Sequence, residues 1–141
     1  MTIRKTLGDK IHKKVISRFE YVHDKEQYDE MEHWTSHADD VLEGNIFQDD
    51  CDGFAFTCCE LLIKEGLPKE DVMFIVCHDE TGSGHAVCGI QDGESGKTWI
   101  LDNRANRVYD WTVDYQVHGD HYEWNFFMKF DEPGQWYEVE K

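Results

Sequence analysis

Three short runs carry the residue types of a thiol nucleophile, its base and an orienting carboxylate: Asp-Asp-Cys-Asp-Gly-Phe-Ala at 49–55, Gly-His-Ala-Val at 84–87 and Leu-Asp-Asn at 101–103. Cysteine attacks as a thiolate, and a free thiol is mostly protonated near neutral pH. Cys51 stands where a helical pattern begins, so unpaired amides and the positive helix end favour the anion there. Asp49, Asp50 and Asp52 act the other way, since nearby negative charge raises a thiol pKa. A cationic partner is needed. His85 opens a β-rich run and suits that role, because an imidazole can take the thiol proton and return it to a leaving amine. Asp102 closes the next run and can accept the other imidazole N–H, which fixes the tautomer. A histidine in a strand is also a common structural group, and the residues alone leave both readings open.

The elements that must position these groups follow from periodicity and turn chemistry. Ile3, Leu7, Ile11 and Val15 recur every fourth residue among basic side chains, predicting an amphipathic helix with one stripe on the core. Residues 19–28 read as an extended segment and a turn. A short helix is expected over 36–42, capped by Ser36 and ended by Gly44, with 45–50 as a loop leading to Cys51. From Cys51 onward, Phe54, Cys58, Leu61 and Leu62 share one helical face, and Gly66 with Leu67-Pro68 supplies the stop. Cys58 and Cys59 on that buried helix read as packing residues. The run 72–77, the turn formers at 81–84 and the run 85–90 predict an antiparallel hairpin, and 98–102 adds a third strand. A helix followed by a meander is an α+β arrangement. The aromatic tail, including Trp111, Tyr115, Tyr122, Trp124, Phe126, Phe127, Trp136 and Tyr137, is expected to edge and cover the sheet. His12, His23, His33, His37, His78, His118 and His121 read as surface or structural groups.

Composition narrows the class. A chain of 141 residues suits a single domain spanning 1–141. No apolar window is long enough for a membrane span, and the basic residues among the first eighteen positions do not resemble a secretory leader. The expectation is therefore a complete, unexported, cytoplasmic protein. The 5 cysteines include no C-x-x-C pair, which points to reduced thiols rather than a zinc site. A net charge of −16 argues against nucleic-acid partners, and no membrane contact is expected. The acidity between residues 24 and 60 would favour cations and basic substrate segments.

The chain resembles the bacterial transglutaminase-like cysteine peptidases of the papain-like transglutaminase superfamily. The likeness runs through 19–28, His33-Trp34, Leu42-Glu43-Gly44, Asp50-Cys51-Asp52-Gly53-Phe54-Ala55, the 79–87 segment, Leu101-Asp102-Asn103-Arg104 and Val108-Tyr109-Asp110-Trp111. It implies a papain-like α+β core with the nucleophile at the start of a central helix packed on an antiparallel sheet. It also implies that Cys51 is nucleophile, His85 general base and Asp102 orienter in attack on a peptide or amide carbonyl through a thioester. The oxyanion would be held partly by the Cys51 N–H. Well-known members, periplasmic proteases that release adhesins, carry Asp-Cys-Glu-Asp, whose acidic residues take part in calcium binding. Here Asp52 and Gly53 replace the last two, leaving Asp50 and Asp52 as candidate calcium ligands. The chemistry itself requires no cofactor. A version without a leader fits a cytoplasmic or bacteriophage-encoded branch. Acyl transfer to an amine is the alternative enzymatic outcome, and a non-catalytic binding or structural module is the alternative outside enzymology. Substrate beyond a protein or peptide, and oligomeric state, are not encoded in these motifs.

Overall fold

The computed structural model describes residues 2–21, 38–79, 81–105, 107–110 and 122–139. Helix α1 spans Ile3–Ile16 and is capped by Thr2, whose side chain accepts the Lys5 amide at 3.2 Å. Its buried stripe is Gly8, Ile11, His12 and Val15, and Ile3, expected on that stripe, is 82% exposed. A strict four-residue repeat advances about 400° per step and drifts about 40° off any face, so three steps carry Ile3 around to solvent.

A two-stranded parallel pair follows, β1 (Phe19–Tyr21) against β2 (Phe47–Asp49). The loop expected over 45–50 is thus partly strand, held by a ladder too short to leave an alternation. Between them lies α2 (Ala38–Leu42), ended by Gly44 at φ +81°. The proposed Ser36 cap falls outside the described residues.

Helix α3 (Cys51–Lys64) is the central helix. Its expected face is fully buried: Phe54, Cys58, Leu61 and Leu62, with Cys59 beside them. The stop is a left-handed Gly66 at φ +105°, with Gly66 N–H donating to the Ile63 carbonyl and Leu67 N–H to that of Leu62.

A single 3₁₀ turn, Lys69–Asp71, leads into β3 (Val72–His78), which pairs antiparallel with β4 (Gly84–Asp92). β5 (Lys97–Leu101) continues the meander and β6 (Tyr109–Asp110) adds a short edge. The aromatic tail does more than cover the sheet. It supplies β7 (Glu123–Lys129), which pairs with the free side of β3, and β8 (Trp136–Glu138) beyond it. The described sheet runs β6-β5-β4-β3-β7-β8. Its two faces carry separate clusters. Cys88, Ile90 and Leu101 pack with Ile11, Val15, Phe54 and Leu62 of the helices. Met73, Ile75, Val87, Ile100 and Tyr109 pack on the other side.

Candidate active site

Cys51 is the first residue of α3, and the preceding Asp50 caps the helix by accepting the Asp52 and Gly53 amides at 3.1 and 3.3 Å. Asp49 closes over the same turn. A Cβ built on Gly53 would lie 2.0 Å from Asp49 Oδ2, so glycine at 53 makes room for that carboxylate.

His85 and Asp102 reach each other through the pleat of the sheet. His85 has the parity of Val87 in β4, and Asp102 has the parity of Ile100 in β5. Both therefore project from one face at the same end. His85 Nε2 donates to Asp102 Oδ1 at 2.8 Å, in a pair only 7% and 0% exposed. This bond places the proton of the neutral ring on Nε2 and leaves Nδ1 as the acceptor.

Asp102 is held from several directions. Its Oδ1 also accepts the Arg104 amide at 3.0 Å, and Oδ2 accepts the Tyr109 hydroxyl at 3.2 Å. His12 on α1 donates from Nε2 to the Asp102 main-chain carbonyl at 2.9 Å. Burial alone would raise the Asp102 carboxyl, but the His85 hydrogen bond and charge and the Arg104 amide outweigh it and hold it below the ordinary carboxylate range.

Cys51 and His85 line one cleft of ≈ 450 Å³ with Tyr21, Asp79, Ser83, Gly84, Asn103 and Arg104. The thiol environment is strongly anionic. Burial, then the charge of Asp52, push the Cys51 thiol up to about 12, with Asp50 and Asp102 adding to the rise and the Ala86 backbone N–H opposing it. Asp52 Oδ1 lies 3.8 Å from Cys51 Sγ. Burial and the neighbouring Asp50 raise Asp52 itself to about 6, while His85 pulls it down. Burial and the surrounding carboxylates thus favour the thiol over the thiolate.

The rim opposite Cys51 is built by Asp79, which accepts from Thr81 and Ser83 in the β3–β4 turn and from Arg104 Nη1 at 3.4 Å. Arg104 also stands 5.7 Å from the Tyr122 ring centroid, and Tyr122 lies 5.1 Å from the His85 ring.

Asp50 and Asp52, the candidate calcium ligands, face different tasks. Asp50 Oδ1 is engaged by two helix amides and Asp52 is turned toward the thiol. Among the described residues no group of three or more His, Cys, Asp or Glu side chains converges on a metal position. Calcium takes six to eight oxygens, so Asp50 and Asp52 would supply only part of its shell.

Sequence reasoning missed the supporting ring of His12, Arg104, Tyr109 and Tyr122. Only His12 left a readable sign, beside Ile11 on the inward stripe of α1. Trp34, His23, His33, His37, His118 and His121 lie outside the described residues, as do Trp111 and Tyr115. His78 is exposed and donates from Nδ1 to Asn125 Oδ1 at 2.7 Å.

The family model for bacterial transglutaminase-like cysteine proteinases (BTLCP) matches residues 4–141. Among solved structures, Legionella pneumophila LapG superposes with a TM-score of 0.69 at 15% identity, covering 96% of this chain and 68% of that one. The calcium-bound form of LapG gives 0.70 at 15% identity, over 96% and 69%. The EGTA-treated form gives 0.69 at 15% identity, over 98% and 68%. The likeness is one of fold, the papain-like transglutaminase-like arrangement of helix on antiparallel sheet. No curated protein matches the sequence.

Proposed function

This chain belongs to the bacterial transglutaminase-like cysteine proteinases, and from that premise we propose that it hydrolyses peptide bonds as a single catalytic domain with Cys51, His85 and Asp102 as its triad. The observation that carries the reading is the buried 2.8 Å bond from His85 Nε2 to Asp102, at the wall of a cleft that Cys51 also lines. As Cys51 Sγ attacks the scissile carbonyl, its proton passes to His85 Nδ1. The C–S bond forms and the carbonyl π electrons move onto oxygen. The amide N–H of Cys51, which is not one of the two that Asp50 caps, would receive part of that charge. Collapse breaks the C–N bond as His85 returns the proton to the departing amine. Water then attacks the thioester with His85 again as base, releasing the acid and the thiol. Asp102 keeps the ring in its tautomer and stabilises the imidazolium without taking its proton.

A thiol held high by burial and by Asp52 favours proton transfer in step with attack on the carbonyl. Calcium is the accessory ion to test, as LapG has been obtained in calcium-bound form. If it binds here, Asp50 and Asp52 would contribute oxygens together with others, and no step above is routed through it.

The test is incubation with a proteome-derived peptide library and mass-spectrometric reading of new termini. Cys51→Ala and His85→Ala are each expected to abolish cleavage with the fold intact, while Cys58→Ala, at a packing position, retains it. Cleavage persisting in Cys51→Ala would overturn the assignment. Adding a primary amine distinguishes hydrolysis from acyl transfer by product mass.

A further inference from the structure

Tyr122 is unusual among the groups around the site. Its side-chain oxygen is buried without a hydrogen-bond partner, a condition shared among the described residues only with Asn103 Oδ1. Leaving a buried donor unpaired is costly, and a phenylalanine would fill the same space without that cost. The nearest large charge is Asp102, whose proximity, after burial, raises the Tyr122 hydroxyl above its ordinary range. A carboxylate offers about four acceptor positions. Asp102 receives three donors here: His85 Nε2 at 2.8 Å, the Arg104 amide at 3.0 Å and the Tyr109 hydroxyl at 3.2 Å. One position is left, and the Tyr122 hydroxyl lies close enough to Asp102 to act on it as a side-chain donor.

The ring of Tyr122 completes the picture. It lies 5.1 Å from the His85 ring, tilted by 54°, and meets Trp124 edge-on at 5.6 Å. The Arg104 guanidinium stands over it at 5.7 Å. Arg104 is itself tied to Asp79, so one residue links the β3–β4 turn, the aromatic ring and the Asp102 carboxylate.

We propose that Tyr122 is a positioning residue for the His85–Asp102 pair, its ring covering their hydrogen bond against water and its hydroxyl serving Asp102 as a fourth donor. Loss of the ring would let water compete for Asp102, loosening the imidazole and weakening its hold on one tautomer. The role rests on the triad reading for its catalytic meaning, but the contact can be measured without any substrate.

The experiment uses protein labelled with ¹⁵N-histidine and follows the His85 Nε2–H resonance, assigned by its loss in His85→Gln. In Tyr122→Leu this proton is expected to exchange with water at least about tenfold faster, while backbone amide signals away from the site stay in place. In Tyr122→Phe the cover remains, so exchange stays within about threefold of the parent. The resonance moves downfield, because an Asp102 with one donor fewer binds the imidazole proton more tightly. Unchanged exchange in Tyr122→Leu would overturn the cover, and an unmoved resonance in Tyr122→Phe would overturn the donor. Should Tyr122→Leu fail to fold, Tyr122→Phe decides the proposal through its chemical shift. These readouts do not depend on peptide cleavage, so failure of the peptidase reading would show separately, as cleavage unaffected by Cys51→Ala. On a cleaved peptide, Tyr122→Leu is expected to lower kcat about tenfold with KM unchanged.

Discussion

Replacing Asp52 with asparagine removes the carboxylate nearest the proposed nucleophile while leaving its shape nearly intact. Oδ1 of Asp52 is 3.8 Å from Cys51 Sγ. Two unit charges at that distance repel by about 4 kcal/mol at an effective dielectric of ~20 and by about 1 kcal/mol in bulk water. The cleft lies between these limits, so the substitution should lower the thiol from about 12 by about one to three pH units, at 1.36 kcal/mol each. The sign is fixed by Asp52 itself, which burial and Asp50 raise to about 6. Above that pH the carboxylate is ionised and opposes the thiolate; below it the acid is neutral and the repulsion disappears. Alkylation of Cys51 by iodoacetamide, followed by mass mapping across pH in the presence of EGTA, reads the thiolate fraction directly. Between pH 7 and 9 the Asp52→Asn protein should react at least several-fold faster than the parent, and the two should converge below pH 6. A parent Cys51 that titrates near an ordinary thiol, or an Asp52→Asn rate equal to the parent's at pH 8, would refute the electrostatic reasoning. Rapid alkylation well below pH 7, lost in His85→Ala, would mean that a thiolate–imidazolium pair already stands in the resting site.

Three further outcomes follow from contacts away from the sulfur. Gly53→Ala should destabilise the fold by about 1–3 kcal/mol, despite the better helix propensity of alanine, because its Cβ would fall 2.0 Å from Asp49 Oδ2; a raised Tm would contradict this. His12→Leu leaves the Asp102 carbonyl without its buried donor and should cost about 1–3 kcal/mol in urea unfolding, with midpoint lowered and slope unchanged. Asp92, buried and bonded by Thr2 and by Trp99 Nε1 at 3.0 Å, is lowered to about 2 because these bonds outweigh the effect of burial. A depressed carboxyl contributes stability above its unfolded pKa that is lost as pH falls through its folded one. The loss should therefore run from about pH 4 to 2, reach about 2 kcal/mol, and flatten in Asp92→Asn when Tm is measured against pH.

The site's parts differed in how much they wrote into the sequence. Helix α3 was readable because cap, apolar face and glycine stop agree along one local stretch. The β3–β4–β5 meander was readable because turn formers separate three β-rich runs. β7 was hidden because its pairing with β3 slips between Val76 and Cys77, and a bulge breaks the alternation that marks a strand. β1 and β2, three residues each, leave no period at all. The triad candidates stood out by residue type. The groups around Asp102 did not, since periodicity tells which face a residue occupies but not which polar tip meets another across the fold. Tyr109 and Tyr122 look like any aromatic core residue until their oxygens are placed.

The His12 contact to Asp102 joins residues 90 positions apart, and β3 is completed only by the late strand β7. During synthesis Cys51 leaves the ribosome well before His85 and Asp102, and closing such long loops costs entropy that only the finished sheet offsets. A nascent chain halted before residue 123 is expected to hold Cys51 and His85 without the strand that completes the sheet beside β3. The order of the strands thus makes any activity of the proposed site a late event in folding, since β3 gains its second neighbour only when β7 has emerged.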